Sequence, residues 1–237
     1  MGEWIALNAL DGEGRFDAWQ ARPKGQAEAA IIVIQEIFGV NPGIRQKAED
    51  WAAKGYLAIA PDMFWRFAPH YEADPDVQEE LDHAMQLRLQ FDLGKAARDV
   101  EAAIRHARAL GAEKVGVVGF CAGGSVAYLA ATRSDADACV GYYGRLIVEH
   151  LNEAHAIARP LLLHFGLEDP SIPAELRAKV REALGANPRV TIHDYKGAGH
   201  GFAATTGKRR NEDAAALADG RTEQFFAEHL GAALPKH

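Results

Sequence analysis

A cysteine between two glycines is the most chemically informative feature of this sequence. Cys121 lies in Gly119-Phe120-Cys121-Ala122-Gly123, which follows an apolar run at 115–118 and opens a helical pattern at Gly124. A strand that turns sharply into a helix holds a nucleophile at the top of a sheet, and the flanking glycines prevent backbone clashes. The helix N-terminus also favours a thiolate. The pattern therefore predicts that Cys121 is a nucleophile on a strained turn.

A nucleophile on such a turn requires an acid and then a histidine at later strand ends, in that chain order. Asp169 and His200 follow two successive apolar runs downstream of the cysteine. His200 would accept the proton of Cys121 and return it to the leaving group, while Asp169 would orient the imidazole. Glu168 is the alternative acid, but Asp169 precedes Pro170 and is favoured as the residue of a fixed loop. We therefore predict a Cys-His-Asp triad.

The remaining cysteine and the other histidines fit structural positions better than catalytic ones. Cys139 lies in an apolar run that predicts a buried strand, where free cysteine behaves as a small hydrophobic residue. His164 lies inside another apolar run and is expected to be a core residue with satisfied hydrogen bonds. His83 and His106 lie in helical segments. Only His200 has a glycine on each side in a loop that follows a strand.

Apolar runs alternate with helical patterns from residue 29 onward, and this alternation must position the reactive residues. The runs carry no polar alternation, which is typical of strands covered on both faces. Strand and helix alternation of this kind predicts a mostly parallel sheet with helices on both faces, in one α/β domain that spans residues 1–237. The predicted strands are 29–34, 56–60, 114–119, 139–143, 161–165 and 190–195. The predicted helices are 43–54, 95–110, 124–133, 174–184 and 211–230.

The segment 64–93 interrupts this alternation. It is long, polar and aromatic, with Trp65, Phe67 and Tyr71, and contains no predicted strand. Long connections often carry function, so a helical excursion over the sheet would form a lid or a wall of the substrate site. A surface decoration without a role in the site is the alternative.

Composition excludes several classes of function. The chain has 33 acidic and 26 basic residues and a formal charge of −7, which argues against nucleic acid as a partner. The basic cluster at 208–210 is expected to face solvent. No apolar run reaches the length of about 18 residues that a membrane span needs. Two cysteines and no secretion signal favour a reduced, cytoplasmic protein. We expect no cofactor and no metal, because histidines at ligand spacing and phosphate-binding loops are lacking.

Several motifs follow one another along the chain: Gln35-Glu36-Ile37-Phe38-Gly39, Ala60-Pro61-Asp62, Gly119-Phe120-Cys121-Ala122-Gly123-Gly124, Asp169 and Gly199-His200-Gly201-Phe202. Together they resemble the dienelactone hydrolase family of α/β-hydrolases over nearly the whole chain. The resemblance implies the α/β-hydrolase fold and a role for Glu36, which would hold the Cys121 thiol in a resting state until substrate displaces it. It also implies an oxyanion hole formed by the backbone N–H groups of Ile37 and Ala122.

The sequence departs from this family where a substrate carboxylate would bind. The resemblance implies one arginine a few residues after the catalytic histidine, but Phe202-Ala203-Ala204-Thr205 contains none. A second implied arginine falls in the segment matching 81–88, which also differs. We therefore expect that dienelactone is not the natural substrate. The candidate substrate-binding residues are Phe38, Arg66 and Arg88, with Lys208 as a further source of positive charge; each of these cations also fits a solvated position.

The sequence thus predicts a hydrolase of small esters or lactones that forms an acyl-enzyme on Cys121, as a monomer or small homo-oligomer. A thioesterase or acyltransferase with the same triad is an open alternative. A binding protein on a hydrolase scaffold is another, although such proteins are expected to lack part of the triad.

Overall fold

The computed structural model describes residues 2–231, and one eight-stranded sheet runs through them. Its spatial order is β1-β2-β4-β3-β5-β6-β7-β8. The two N-terminal strands pair antiparallel with their neighbours, and every other pairing is parallel. The strands are β1 Glu3–Asn8, β2 Arg15–Ala21, β3 Ala29–Ile34, β4 Leu57–Pro61, β5 Lys114–Phe120, β6 Ala138–Tyr142, β7 Leu161–Gly166 and β8 Val190–Tyr195. The predicted α/β class with a mostly parallel sheet is confirmed.

The hairpin of β1 and β2 is the part of the sheet that sequence analysis missed. β1 forms the outer edge and leaves most of its residues exposed or half-buried. Antiparallel strands with one solvated face alternate apolar and polar residues, so they lack the continuous apolar run that marks the buried parallel strands. β3 and β5, by contrast, lie inside the sheet and are almost entirely buried.

Six α-helices within residues 2–231 cover the sheet, and two glycines of β5 identify its two faces. A Cβ on Gly116 would meet Phe226 and Leu230, whereas a Cβ on Gly119 would meet the backbone of Gly123. Residues three apart on a strand point to opposite faces. The helix that carries Phe226 and Leu230 therefore lies on the opposite side of the sheet from the helix that carries Gly123. The helices are α1 Pro42–Ala53, α2 Gln78–Leu87, α3 Leu93–Ala109, α4 Ala122–Arg133, α5 Ala174–Leu184 and α6 Glu212–Leu230.

Helix α3 illustrates how sequence pattern becomes packing. Val100, Ala103, Ile104 and Ala107 recur at helical spacing and are fully buried. The side chain of Asp92 caps the helix by accepting a hydrogen bond from the backbone N–H of Lys95 at 2.9 Å. The helix therefore presents its apolar stripe to the interior and covers one face of the sheet.

Five parallel strands, β3, β5, β6, β7 and β8, are consecutive neighbours in the sheet. Their carboxyl ends lie at one edge, where parallel sheets carry their sites. In register, Ile34 pairs with Gly119 and Phe120 pairs with Tyr142. The residues that follow these strands must therefore lie side by side. No helix within residues 2–231 is long and apolar enough to cross a membrane.

The segment 64–93 contains α2 and a short 3-10 helix, Arg88–Gln90. It approaches the sheet edge through an isolated antiparallel bridge between Gly39 and Glu72. The Glu72 carboxylate also pairs with Arg45 of α1. This segment is therefore attached beside the loop that follows β3.

Candidate active site

Cys121 lies at the sharp turn between β5 and α4. Its φ of 56° is in the left-handed region, which non-glycine residues rarely adopt. A Cβ on Gly119 would lie 1.9 Å from the carbonyl oxygen of Gly123, and a Cβ on Gly123 would lie 2.5 Å from that of Gln35. Both glycines are therefore required by close backbone approach, as the elbow pattern predicts.

The structure brings Cys121, His200 and Asp169 into one hydrogen-bonded row. His200 Nε2 lies 3.1 Å from Cys121 Sγ, and His200 Nδ1 lies 2.7 Å from Asp169 Oδ2. Asp169 follows β7 and His200 follows β8, so both reach Cys121 along the carboxyl edge of the sheet. This is the geometry of a nucleophile, a base and an orienting acid.

Asp169 is buried and held by more than the imidazole. Its Oδ1 accepts hydrogen bonds from the Ser171 hydroxyl at 2.6 Å and from the Ser171 backbone N–H at 2.8 Å. Burial alone raises the pKa of Asp169, but the hydrogen bonds from His200 and Ser171 outweigh it and bring the pKa below its ordinary value. Glu168, the alternative acid, is exposed to solvent. Sequence analysis did not single out Ser171, whose role depends on a local turn.

The imidazole of His200 is strongly biased toward its charged form. Burial by itself lowers the pKa of His200, but the Cys121 sulfur and the hydrogen bond to Asp169 outweigh burial and raise it to about 10. A cationic imidazole 3.1 Å from the sulfur stabilises a thiolate. The site therefore holds His200 in the form that can donate a proton.

Two backbone amides beside Cys121 fit the predicted oxyanion hole. Ala122 is the first residue of α4, where the N–H has no helical acceptor, and it lies at the positive end of the helix dipole. Ile37 lies in the loop after β3, and within residues 2–231 its N–H donates to no backbone carbonyl. Since β3 and β5 are neighbours, the two amides follow adjacent strand ends.

Glu36 forms an ion pair with Arg209. Glu36 Oε2 lies 2.9 Å from Arg209 Nη2, and the guanidinium stands 4.9 Å from the centre of the Phe38 ring. Burial alone lowers the pKa of Arg209, but Glu36 raises it above its ordinary value. The thiol contact that the family resemblance implies for Glu36 is not among the hydrogen bonds of residues 2–231. In this structure, the sulfur of Cys121 pairs with His200 instead.

Arg209 is the main site residue that sequence analysis missed. The prediction that the whole basic cluster at 208–210 faces solvent is wrong for Arg209 and Arg210, whose side chains are 24% and 22% exposed. The loop after β8 folds back at Gly201 and Gly207, both with positive φ. A Cβ on Gly201 would lie 2.5 Å from Arg209 Nη1. Gly201, the second glycine of Gly-His-Gly, therefore makes room for this arginine. It is the one feature of the local sequence that could have indicated a side chain packed at this position.

Of the candidate substrate-binding residues, only Phe38 contacts this ion pair. Arg66 binds Asp99, Asp11 and Glu13 instead, with Nη1 2.5 Å from Asp99 Oδ2. The structure thus corrects the expectation for Arg66, because three carboxylates occupy its donors. Arg88 lies in the short 3-10 helix and does not line the cavity beside Glu36, and Lys208 is exposed.

A cavity of about 390 Å³ adjoins the Glu36 and Arg209 pair. Phe120 and Tyr143 line it from the sheet edge, and the 64–93 segment contributes residues 72–76 and Glu80. The lining is mixed, with acidic side chains from that segment and apolar rings from the sheet edge. The volume accommodates a small-molecule ligand. Within residues 2–231, no three His, Cys, Asp or Glu side chains group as metal ligands.

The structural predictions for Cys139 and His164 are confirmed. Cys139 is fully buried in β6, and burial raises the pKa of its thiol. His164 is fully buried in β7, where Nδ1 lies 2.7 Å from the Tyr195 hydroxyl and Nε2 lies 3.0 Å from Thr222 Oγ1. Both ring nitrogens are paired, so His164 belongs to the core.

The fold and this site together define an α/β-hydrolase with a cysteine on its nucleophile elbow. The family model described as "Dienelactone hydrolase family" matches residues 16–230. The chain belongs to the dienelactone hydrolase family, as the sequence motifs indicated, and it is a hydrolase of carboxylic esters or lactones.

Individual relatives match along nearly their full length. A carboxymethylenebutenolidase from Pseudomonas putida is 37% identical over 229 residues, covering 96% of this chain and 97% of the relative. An Azospirillum brasilense protein, provisionally named for the same activity, is 40% identical over 231 residues, covering 96% and 99%. A crystal structure from Klebsiella pneumoniae, provisionally named a dienelactone hydrolase, superposes with a TM-score of 0.80 at 29% identity, covering 95% and 99%.

Proposed function

We propose that this hydrolase cleaves small esters or lactones through a covalent acyl-enzyme on Cys121. The observation that carries the proposal is the row of contacts from Cys121 Sγ to His200 and from His200 to Asp169, at 3.1 and 2.7 Å. Nucleophile, base and orienting acid in this order are the minimum set for acyl transfer. The strained backbone at Cys121 holds the sulfur toward the imidazole.

In the first step, the Cys121 thiolate attacks the carbonyl carbon of the substrate and a C–S bond forms. Negative charge develops on the carbonyl oxygen, where the N–H groups of Ile37 and Ala122 would donate hydrogen bonds. The carbonyl is restored as the C–O bond to the leaving group breaks, and the His200 imidazolium donates its proton to the departing oxygen. In a lactone, this oxygen stays attached to the acyl chain.

In the second step, neutral His200 takes a proton from water, and the water oxygen attacks the thioester carbon. The C–S bond then breaks, the carboxylic acid leaves, and the proton on His200 restores the ion pair with the Cys121 thiolate. Asp169 keeps the imidazole in one orientation throughout, and Ser171 holds Asp169. The step consumes one water molecule and needs no cofactor.

The charge of the substrate is the second part of the proposal. Residues 202–205, which follow the catalytic histidine, contain no arginine, but Arg209 supplies a guanidinium beside Glu36. We therefore infer that the substrate carries an anionic group that competes with Glu36 for Arg209. The second arginine that the family resemblance implies is not replaced in this way, because the described 81–88 segment contributes no arginine to the cavity. That dienelactone itself is not the natural substrate stays a prediction.

The triad is tested by removing one of the two thiols. Cys121→Ala is expected to abolish turnover of an activated ester, with a loss on the order of 10⁴-fold or more, because no covalent intermediate forms. Cys139→Ala is the matched control, since Cys139 is a buried core thiol. Turnover by Cys121→Ala at the wild-type rate, measured with an activated aryl ester, would overturn the proposed mechanism.

The charge state of His200 gives a pH test. Its pKa of about 10 depends first on Cys121 among the groups that raise it, so Cys121→Ala should lower that pKa toward the ordinary 6.5. Because folding raises the pKa of His200, its positive charge stabilises the folded protein fully below about pH 6.5. This stabilisation is lost as the pH rises through about 10. NMR titration of the imidazole in both proteins measures the shift. Equal pKa values would contradict the thiolate and imidazolium pair.

A further inference from the structure

Tyr143 follows β6, and its buried hydroxyl has no hydrogen-bond partner within the part of the chain that the structure describes. The residue is 0% exposed. Other buried tyrosines are paired: the Tyr142 hydroxyl contacts Asp219 at 2.9 Å, and the Tyr128 hydroxyl donates to the His150 carbonyl at 3.0 Å. A buried donor without an acceptor destabilises a fold, so each such group needs an explanation.

The backbone of Tyr143 is also strained. Its φ of 39° lies in the left-handed region, where a bulky aromatic residue is an outlier. The backbone N–H donates to the His164 carbonyl at 2.8 Å, and the ring lies 5.1 Å from the His200 ring and 5.4 Å from the Phe202 ring, centre to centre. Strain that packing maintains at one position is common at functional sites.

Tyr143 is one of the residues that line the cavity beside Glu36 and Arg209, and its hydroxyl is close enough to Glu36, Arg209 and Cys121 for their charges to act on it. In the sheet, β6 lies between β5 and β7, so Tyr143 stands between the strand ends that carry Cys121 and Asp169. Burial raises the pKa of Tyr143 well above its ordinary value, and Glu36 raises it further. The hydroxyl therefore keeps its proton at neutral pH and is available as a donor.

We propose that Tyr143 is a substrate-binding residue whose hydroxyl donates a hydrogen bond to an oxygen of the ester or lactone bound beside Cys121. The acceptor is supplied by the ligand, which accounts for a donor that the described chain leaves unpaired. Esters, lactones and carboxylates all present such an oxygen. This inference rests on the proposed function, because it places the substrate next to the Cys121 sulfur.

Tyr143→Phe removes only the hydroxyl and tests this proposal. We expect kcat/KM for an activated ester to fall about 10- to 100-fold, the usual range for losing one buried hydrogen bond to a ligand. The thermal midpoint should be equal to or above that of the wild type, because no bond within the described chain is lost. Tyr128→Phe is the matched control: it removes a paired buried hydroxyl and should lower the thermal midpoint with kcat/KM unchanged.

Alkylation of Cys121 by iodoacetamide separates contact with substrate from an effect on the thiol. In Tyr143→Phe, the alkylation rate and its pH dependence should match the wild type. Wild-type turnover in Tyr143→Phe, or alkylation that slows in step with turnover, overturns this inference alone. A wild-type protein without Cys121-dependent turnover overturns the proposed function and this inference with it.

Discussion

Arg209 and Arg66 each pair with a carboxylate that is almost or completely buried, Glu36 and Asp99, but their surroundings differ. Arg209 binds one carboxylate, Glu36, and stacks on Phe38 beside a cavity. Arg66 binds three carboxylates, and the innermost of them, Asp99, also accepts a hydrogen bond from the Trp65 indole at 3.0 Å. Arg209 borders the cavity beside Glu36, and Arg66 is held among its three partners.

The difference shows what makes a charged residue available to a ligand. An arginine has five donors, and in Arg66 these donors are divided among Asp11, Glu13 and Asp99. Among the residues that the structure describes, Arg209 forms an ion pair with Glu36 alone, so an anion entering the cavity competes there with one carboxylate. We therefore assign the substrate charge to Arg209 and a stabilising role to Arg66.

The larger effect of the two arginines on substrate preference is expected for Arg209. Arg209→Gln should lower the preference for an ester that bears a carboxylate over a matched neutral ester by about 10- to 100-fold, since charge-assisted hydrogen bonds are worth about 1.5–3 kcal/mol. Steady-state kinetics with the two esters measures this preference. Lys208→Gln, on the same loop but exposed, is the control and should leave the preference unchanged. An unchanged preference in Arg209→Gln would refute the assignment.

Arg66 should affect stability and not catalysis. Arg66→Met leaves the fully buried Asp99 carboxylate without its guanidinium, which typically costs about 3–5 kcal/mol. Burial already raises the pKa of Asp99, and Arg66 is the main group that opposes this rise. Urea unfolding measures the loss, with the exposed Arg105→Met as control. If Arg66→Met were as stable as the wild type but had a lowered kcat/KM, Arg66 would act in catalysis and the two arginines would not differ in role.

Much of the central sheet could be predicted because its parallel strands are covered on both faces. The runs predicted at 29–34 and 190–195 coincide with β3 and β8, and the other four strands differ by one or two residues at their ends. The triad was predictable for a related reason. A motif at a strand end has a known position once the sheet is parallel, so chain order alone arranges Cys121, Asp169 and His200.

Arg209, Ser171 and Tyr143 could not be found in the same way. Arg209 is nine positions after His200, and it reaches Glu36 only because the intervening loop folds back at glycines with positive φ. Tyr143 ended a predicted core strand, where an apolar ring is expected. Neither its left-handed backbone nor its unpaired hydroxyl has a signature in local residue pattern.

The sequence by itself determined the α/β class, the family and the order of nucleophile, acid and base, because these depend on periodicity and on local motifs. The tertiary structure decided which charges reach the nucleophile. Packing and loop path set that choice: they enclose Arg66 among three carboxylates and bring Arg209 and Tyr143 to the cavity beside Glu36. Such contacts join residues that are far apart in the chain, so the local sequence pattern does not predict them.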